Sequence, residues 1–185
     1  MFRPDGRAVH RLATSFAVAA TLYVAATLPG TAARAEPVDT TDQPTPCWSE
    51  QIAVTGSPTQ GAAGHRFTTL TFTLAGGADP CTLNGYPEVD TGNGGPLVHA
   101  QPTPRGYSGG LPANTVAPPT VILSLSQEAQ AIVEGVAVDG SGNPCATYTD
   151  LSVSPPGIVQ AFTVPVNIDA CRLEVHPVTA GQQNG

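Results

Sequence analysis

No stretch of this chain keeps one hydrophobic period for long. Short alternating runs are cut again and again by clusters of Gly, Pro, Asn and Asp, and 20 glycines and 19 prolines in 185 residues leave little room for a helix. The clearest run is His65–Leu74, "HRFTTLTFTL". Leu70, Phe72 and Leu74 point one way along it, and Thr69, Thr71 and Thr73 the other. β-branched threonine suits a half-buried pleated face. The same period predicts strands over Gln51–Thr55, Tyr86–Thr91, Pro96–Ala100, Val121–Leu125, Ala129–Val138, Leu151–Ser154, Ile158–Val166 and Cys171–His176. "GNGG" before Pro96 reads as a hairpin turn and "DGSGNP" at 139–144 as another. Gln127–Ile132 has the best helical composition, but the Val-Glu-Gly-Val-Ala-Val that follows returns it to strand. Many short strands with regular turn signals predict an all-β fold, an antiparallel, immunoglobulin-like sandwich without substantial helix.

The first residues read as an address. Arg3, Arg7 and Arg11 precede an uncharged apolar run over Leu12–Leu28, and Ala33-Arg34-Ala35 supplies an A-x-A site. This order predicts a signal peptide over 1–35. The rival reading, an uncleaved anchor, needs about 20 apolar residues. A lipid-anchored precursor needs a cysteine just after the apolar run, whereas the first is Cys47. Residues 36–46, "EPVDTTDQPTP", read as a disordered leader, 47–178 as one domain, and 179–185 as a flexible tail.

Charge narrows the partners. Cleavage after Ala35 leaves Arg66, Arg105 and Arg172 against thirteen carboxylates, a net charge of −10, and the chain has no lysine. Nucleic-acid binding neutralises phosphates with Lys and Arg, so it is not expected. An anionic lipid surface would repel the chain, and no second apolar stretch is long enough to insert stably.

Four cysteines in an exported chain predict two disulfides. Three pairings are open. The sequential one, Cys47–Cys81 and Cys145–Cys171, is favoured because each loop then ties neighbouring strands. No C-x-x-C is present, and the gaps are too long for a zinc knuckle.

Residues 105–111 read "RGYSGGL". Gly106-Tyr107-Ser108-Gly109-Gly110 fits G-x-S-x-G, which sets a serine nucleophile on a tight turn. It differs by one residue from the G-D-S-G-G of chymotrypsin-like proteases. Ser108, then Asp150 or Asp169, then His176 keeps a serine–acid–histidine order. The chymotrypsin order instead uses His65 and Asp79 or Asp90. The neighbourhood opposes both. "AQPTPRG" and "GLPANTVAPP" put prolines where a strand and a helix are needed. His65 lies only 43 residues before Ser108, and Tyr107 replaces the acid. The expectation is a mobile glycine-rich segment within a long surface loop over 101–120, with no catalytic residue.

Arg105 and Tyr107 on that loop, and Tyr86 in the "NGYP" turn, are the candidate partner contacts, since an exposed tyrosine can anchor a partner. His65, His99 and His176 show no metal-ligand spacing. "DGSGNP" resembles the start of a calcium loop, with Asp139, Asn143 and Asp150 at ligand positions, but Pro144 stands where glycine is required. No metal or other cofactor is expected. Trp48 is expected to pack, partly buried, against the Cys47 disulfide.

Three stretches together carry a likeness: "GAAGHRFTTLTFTLAGGADPCTLNGYPEVD" (61–90), "CATYTDLSVSPPG" (145–157) and "CRLEVHPV" (171–178). With C-T-L-x-G-Y-P as the most specific part, the chain resembles the domain-of-unknown-function family 4232 across about 47–178. It departs at "LAGGADPC", where many members carry an Asn before the glycines. The resemblance implies an exported β-sandwich of mycobacteria and other actinobacteria, with cysteines at these places. It implies no reaction and no catalytic residues. The functional expectation is a secreted, non-catalytic binding module of the cell envelope or extracellular space, its partner an unidentified protein or envelope component. The alternatives are a serine hydrolase built on Ser108 and a purely structural or antigenic surface protein.

Overall fold

A computed structural model describes residues 43–181. The expected signal peptide and most of the leader lie outside the described residues, as do the last four of the chain. The strands are β1 (Ile52–Gly56), β2 (Gln60–Ala62), β3 (His65–Leu74), β4 (Cys81–Asn84), β5 (Glu88–Thr91), β6 (Ala100–Pro102), β7 (Arg105–Gly106), β8 (Gly109–Gly110), β9 (Thr120–Leu123), β10 (Ala129–Val136), β11 (Thr147–Ser154), β12 (Phe162–Asp169), β13 (Leu173–Val175) and β14 (Thr179–Ala180). One turn of 3₁₀ helix, Ser49–Gln51, precedes them.

The fold is all-β. The main sheet runs β1-β3-β10-β13-β6, with β2 added to β3 and β14 to β10. A second sheet runs β12-β11-β5, and β4–β9 and β7–β8 form two-stranded ribbons. β12 packs across β1, β3 and β10, which sets the two sheets against each other. Alternation explains what lies between them. Leu70 and Phe72 of β3, Val133 of β10, Leu151 and Val153 of β11, Val164 and Ile168 of β12, and Leu173 and Val175 of β13 are all buried in one cluster. The threonine face of β3 is turned away from it, as the period predicts. Thr68 shares the core face with Leu70 and Phe72 and is buried, and its hydroxyl donates to the Ser57 carbonyl at 2.8 Å.

Both disulfides are Cys47–Cys81 and Cys145–Cys171. The first joins the segment entering the domain, where Pro46 bridges Thr82, to β4. The second joins the segment before β11 to the turn between β12 and β13.

Four details differ from the sequence expectation. Thr179 and Ala180 pair with Gln130 and Ala129, so the ordered ladder extends past the expected end of the domain. β6 runs parallel to β13, in register Leu173 with Ala100 through Val175 with Pro102, whereas every predicted pairing is antiparallel. Trp48 is 65% exposed, so its ring is largely in solvent rather than packed on the disulfide. The segment 101–120 is not a free loop: β6 delivers it to the edge of the main sheet, and β7 and β8 fold back over that sheet's outer face.

Candidate functional site

The outer face of the main sheet carries an unusual load. In β10, Ala129, Ala131 and Val133 face the core, so Ile132 and Glu134 face outward. In β13, Leu173 and Val175 face the core, so Glu174 faces outward, and His176, just past the strand's end, lies on the same side under the hairpin. Glu134 and Glu174 stand directly opposite each other in the ladder, and like charges so placed repel. Arg172 lies 3.5 Å from Glu174. Glu134 and His176 have no such solvent-side partner; their side chains are only 5% and 2% exposed because the β7–β8 hairpin covers them.

The hairpin is fitted to that load. The Tyr107 N–H donates to Glu134 Oε2 at 2.9 Å, and the Ser108 N–H donates to Oε1 at 2.5 Å. Two turn amides thus grip one buried carboxylate with charge-assisted bonds, the stronger class of hydrogen bond. His176 Nε2 lies 3.1 Å from Glu134 Oε1, within ion-pair distance but outside hydrogen-bonding geometry. The glycines are required by this contact. A Cβ on Gly106 would lie 2.6 Å from His176 Nε2 and 2.7 Å from both Glu134 oxygens. Gly110 has φ +114°, and a Cβ there would come within 2.4 Å of the Pro104 carbonyl oxygen.

The sequence-predicted residues fall into different roles. Arg105 sits at the hairpin's base, and its Nη2 donates among the carbonyl oxygens of Pro112, Ala113 and Thr115 at 2.5–2.9 Å. It holds the following loop closed. Tyr107 is 57% exposed, with its ring stacked on His65 at 4.6 Å between centroids and 4° between planes. Tyr86 lies elsewhere, in a groove with Glu88 and Pro155–Val159. The histidines are dispersed: His65 under Tyr107, His176 under the hairpin, and His99 in an exposed pair with Asp90 at 2.5 Å. Among the described residues no three His, Cys, Asp or Glu side chains gather as a metal site.

The acids matched to Ser108 from sequence have other partners. Asp150 accepts from the Asn93 backbone and side chain, at 3.2 and 3.0 Å. Asp169 accepts from Arg66 and Thr147. Asp139 accepts from the amides of Ser141 and Asn143 and clips its own turn. The acid beside Ser108 is Glu134, which the sequence reading missed. Its one signal was chemical: a glutamate inside an apolar strand is a buried charge that must find partners. Ser108, Glu134 and His176 do meet, in serine–acid–histidine order. They are not linked as nucleophile, base and acid: the Ser108 hydroxyl is buried without a hydrogen-bond partner, and neither ring nitrogen of His176 has one.

Burial holds the His176 imidazole below the usual histidine range, against the opposing pull of Glu134 and Glu174. The unfolded chain takes up this proton near pH 6.5, and the folded chain only at lower pH. The unfolded state therefore binds more protons in between, and stability falls as pH drops below about 6.5. Urea unfolding between pH 7.5 and 5 is expected to show this slope, and His176→Gln to flatten it. Asp139 and Asp150, held low chiefly by the Asn143 and Asn93 side chains, act in a separate window, below about pH 4.

Comparison with curated proteins finds no match, nor does comparison with solved structures. The strand set and both cysteine pairs described above fall within residues 47–180, which match the model of a domain of unknown function, and the chain belongs to that family, DUF4232.

Proposed function

We propose that this chain is an exported, non-catalytic binding module acting at the cell envelope or outside the cell. One observation carries the reading. The Glu134 carboxylate is engaged by the Tyr107 and Ser108 amides, so the G-x-S-x-G turn serves as a rigid mount for the exposed Tyr107. A preformed aromatic anchor loses little freedom on binding. Export is supported by the two disulfides, which persist in oxidising compartments. In addition, no helix among the described residues is long and apolar enough to cross a membrane.

A crosslinking pull-down from envelope fractions tests the module. The wild-type chain is expected to recover a specific partner, and Tyr107→Ala to lose at least about tenfold of that recovery, the scale of an interface hot spot. Recovery of nothing above background contradicts the reading.

The second reading, a serine hydrolase, draws on the meeting of Ser108, Glu134 and His176. It is the weaker one, because both carboxylate oxygens already accept backbone amides and the serine hydroxyl is linked to neither ring nitrogen of the histidine.

A further inference from the structure

A second groove lies away from the β7–β8 hairpin. The turn after β4 carries Tyr86, β5 opens with Glu88, and between β11 and β12 the chain carries Pro155–Val159. Together they line a groove of about 440 Å³, within the roughly 300–1,000 Å³ range of ligand sites. The groove is preformed. Pro155 and Pro156 fix their own backbone, Gly157 supplies φ +76°, and the Ile158 N–H closes the turn on the Pro155 carbonyl at 3.0 Å. One side of it is apolar: Val159 is 99% exposed at the rim, and Ile158 is half-buried beside it. Glu88 is exposed and makes no hydrogen bond or ion pair within the described residues.

We infer that this groove binds an extended segment of a partner protein in which a lysine or arginine is flanked by proline or aliphatic residues. The flanking residues meet Val159, Ile158 and the prolines, as proline-rich segments meet aromatic-lined grooves elsewhere. The cation meets the Glu88 carboxylate and the Tyr86 ring, which attract it through charge and through the ring's quadrupole. Among the described residues no cation is free to fill this role from a second copy: Arg66 is paired with Asp169, Arg172 with Glu174, and Arg105 with three carbonyls. The occupant we propose is another protein, drawn to the carboxylate by charge complementarity. This rests on the binding-module reading only in requiring a partner; the site and its chemistry come from the groove.

The test uses the full secreted chain, ¹⁵N-labelled, and a panel of amidated octapeptides, each with one Arg or Lys among Pro, Leu and Val, alongside counterparts with Glu at the charged position. The expected result is shifts confined to Tyr86, Glu88, Gly157, Ile158 and Val159. Cationic peptides are expected to bind at least about tenfold more tightly than acidic ones. Glu88→Gln is expected to weaken them about tenfold, and Tyr86→Ala to abolish binding; both positions are partly or fully exposed, and unchanged thermal unfolding confirms folding. No binding by any peptide, equal binding of Arg and Glu peptides, or shifts centred on Tyr107 overturns the proposal. A pull-down that still recovers a partner in that case leaves the binding-module reading standing.

Discussion

Replacing Glu134 with alanine is expected to lower the unfolding free energy by about 3–5 kcal/mol, the combined cost of leaving two covered amide donors without an acceptor and of the cavity beneath them. For a domain of this size that corresponds to a melting temperature lower by roughly 10–15 °C. Two losses add up. The Tyr107 and Ser108 amides lose a carboxylate acceptor while still covered. The space beneath Gly106, shaped around the carboxylate, is left empty. Glu134→Gln retains the shape and one acceptor oxygen and is expected to cost about 1–2 kcal/mol. Thermal unfolding gives the magnitudes, and amide hydrogen exchange locates them: Tyr107 and Ser108 should exchange faster in Glu134→Ala, while the β3 and β11 amides keep their order. An alanine variant within about 1 kcal/mol of wild type would mean that the hairpin is anchored by something else.

The second large effect lies in the disulfides. The chain-entropy model assigns about 3–4 kcal/mol to each loop, given separations of 34 and 26 residues. Replacing all four cysteines with alanine then removes about 7 kcal/mol, comparable to the whole stability of a typical domain. The four-alanine variant is expected to be largely unfolded at 37 °C, and each two-alanine variant to fold with a lowered denaturation midpoint. Cys81 is fully buried and Cys47 nearly so, so part of the loss at that pair is packing. Circular dichroism across a urea titration reads all three. A folded, cooperative four-alanine variant would show that the core alone carries the fold.

The sequence made the frame legible where one period dominates. β3 runs over His65–Leu74 as predicted, because alternating Leu/Phe and Thr leave one choice of faces. The cysteine pairs follow from strand neighbours. What stayed hidden depends on contacts distant in sequence. No local pattern links Ser108 to an acid 26 residues ahead, and Glu134 sits in "IVEGV", where apolar neighbours suggest strand and nothing more. The prolines and glycines of 101–120 predict that no long strand leads into Ser108 and no helix follows it, as the two-residue strands β7 and β8 show, but they also suggest mobility. The same glycines let the backbone approach within reach of a buried carboxylate, which fixes the segment. Arg105 was expected to face a partner, yet its guanidinium closes its own loop. The parallel β6–β13 pairing had no signal, since a short strand at a sheet edge carries no mark of direction.

The central proposal is that the G-x-S-x-G turn is a structural mount held by Glu134 rather than the seat of a nucleophile. Treatment of the folded chain with a serine-reactive fluorophosphonate, read by intact mass and peptide mapping, tests it most directly. The account predicts no adduct at Ser108, because its hydroxyl is buried and linked to no base. Stoichiometric labelling at Ser108 that is lost in His176→Gln would contradict it.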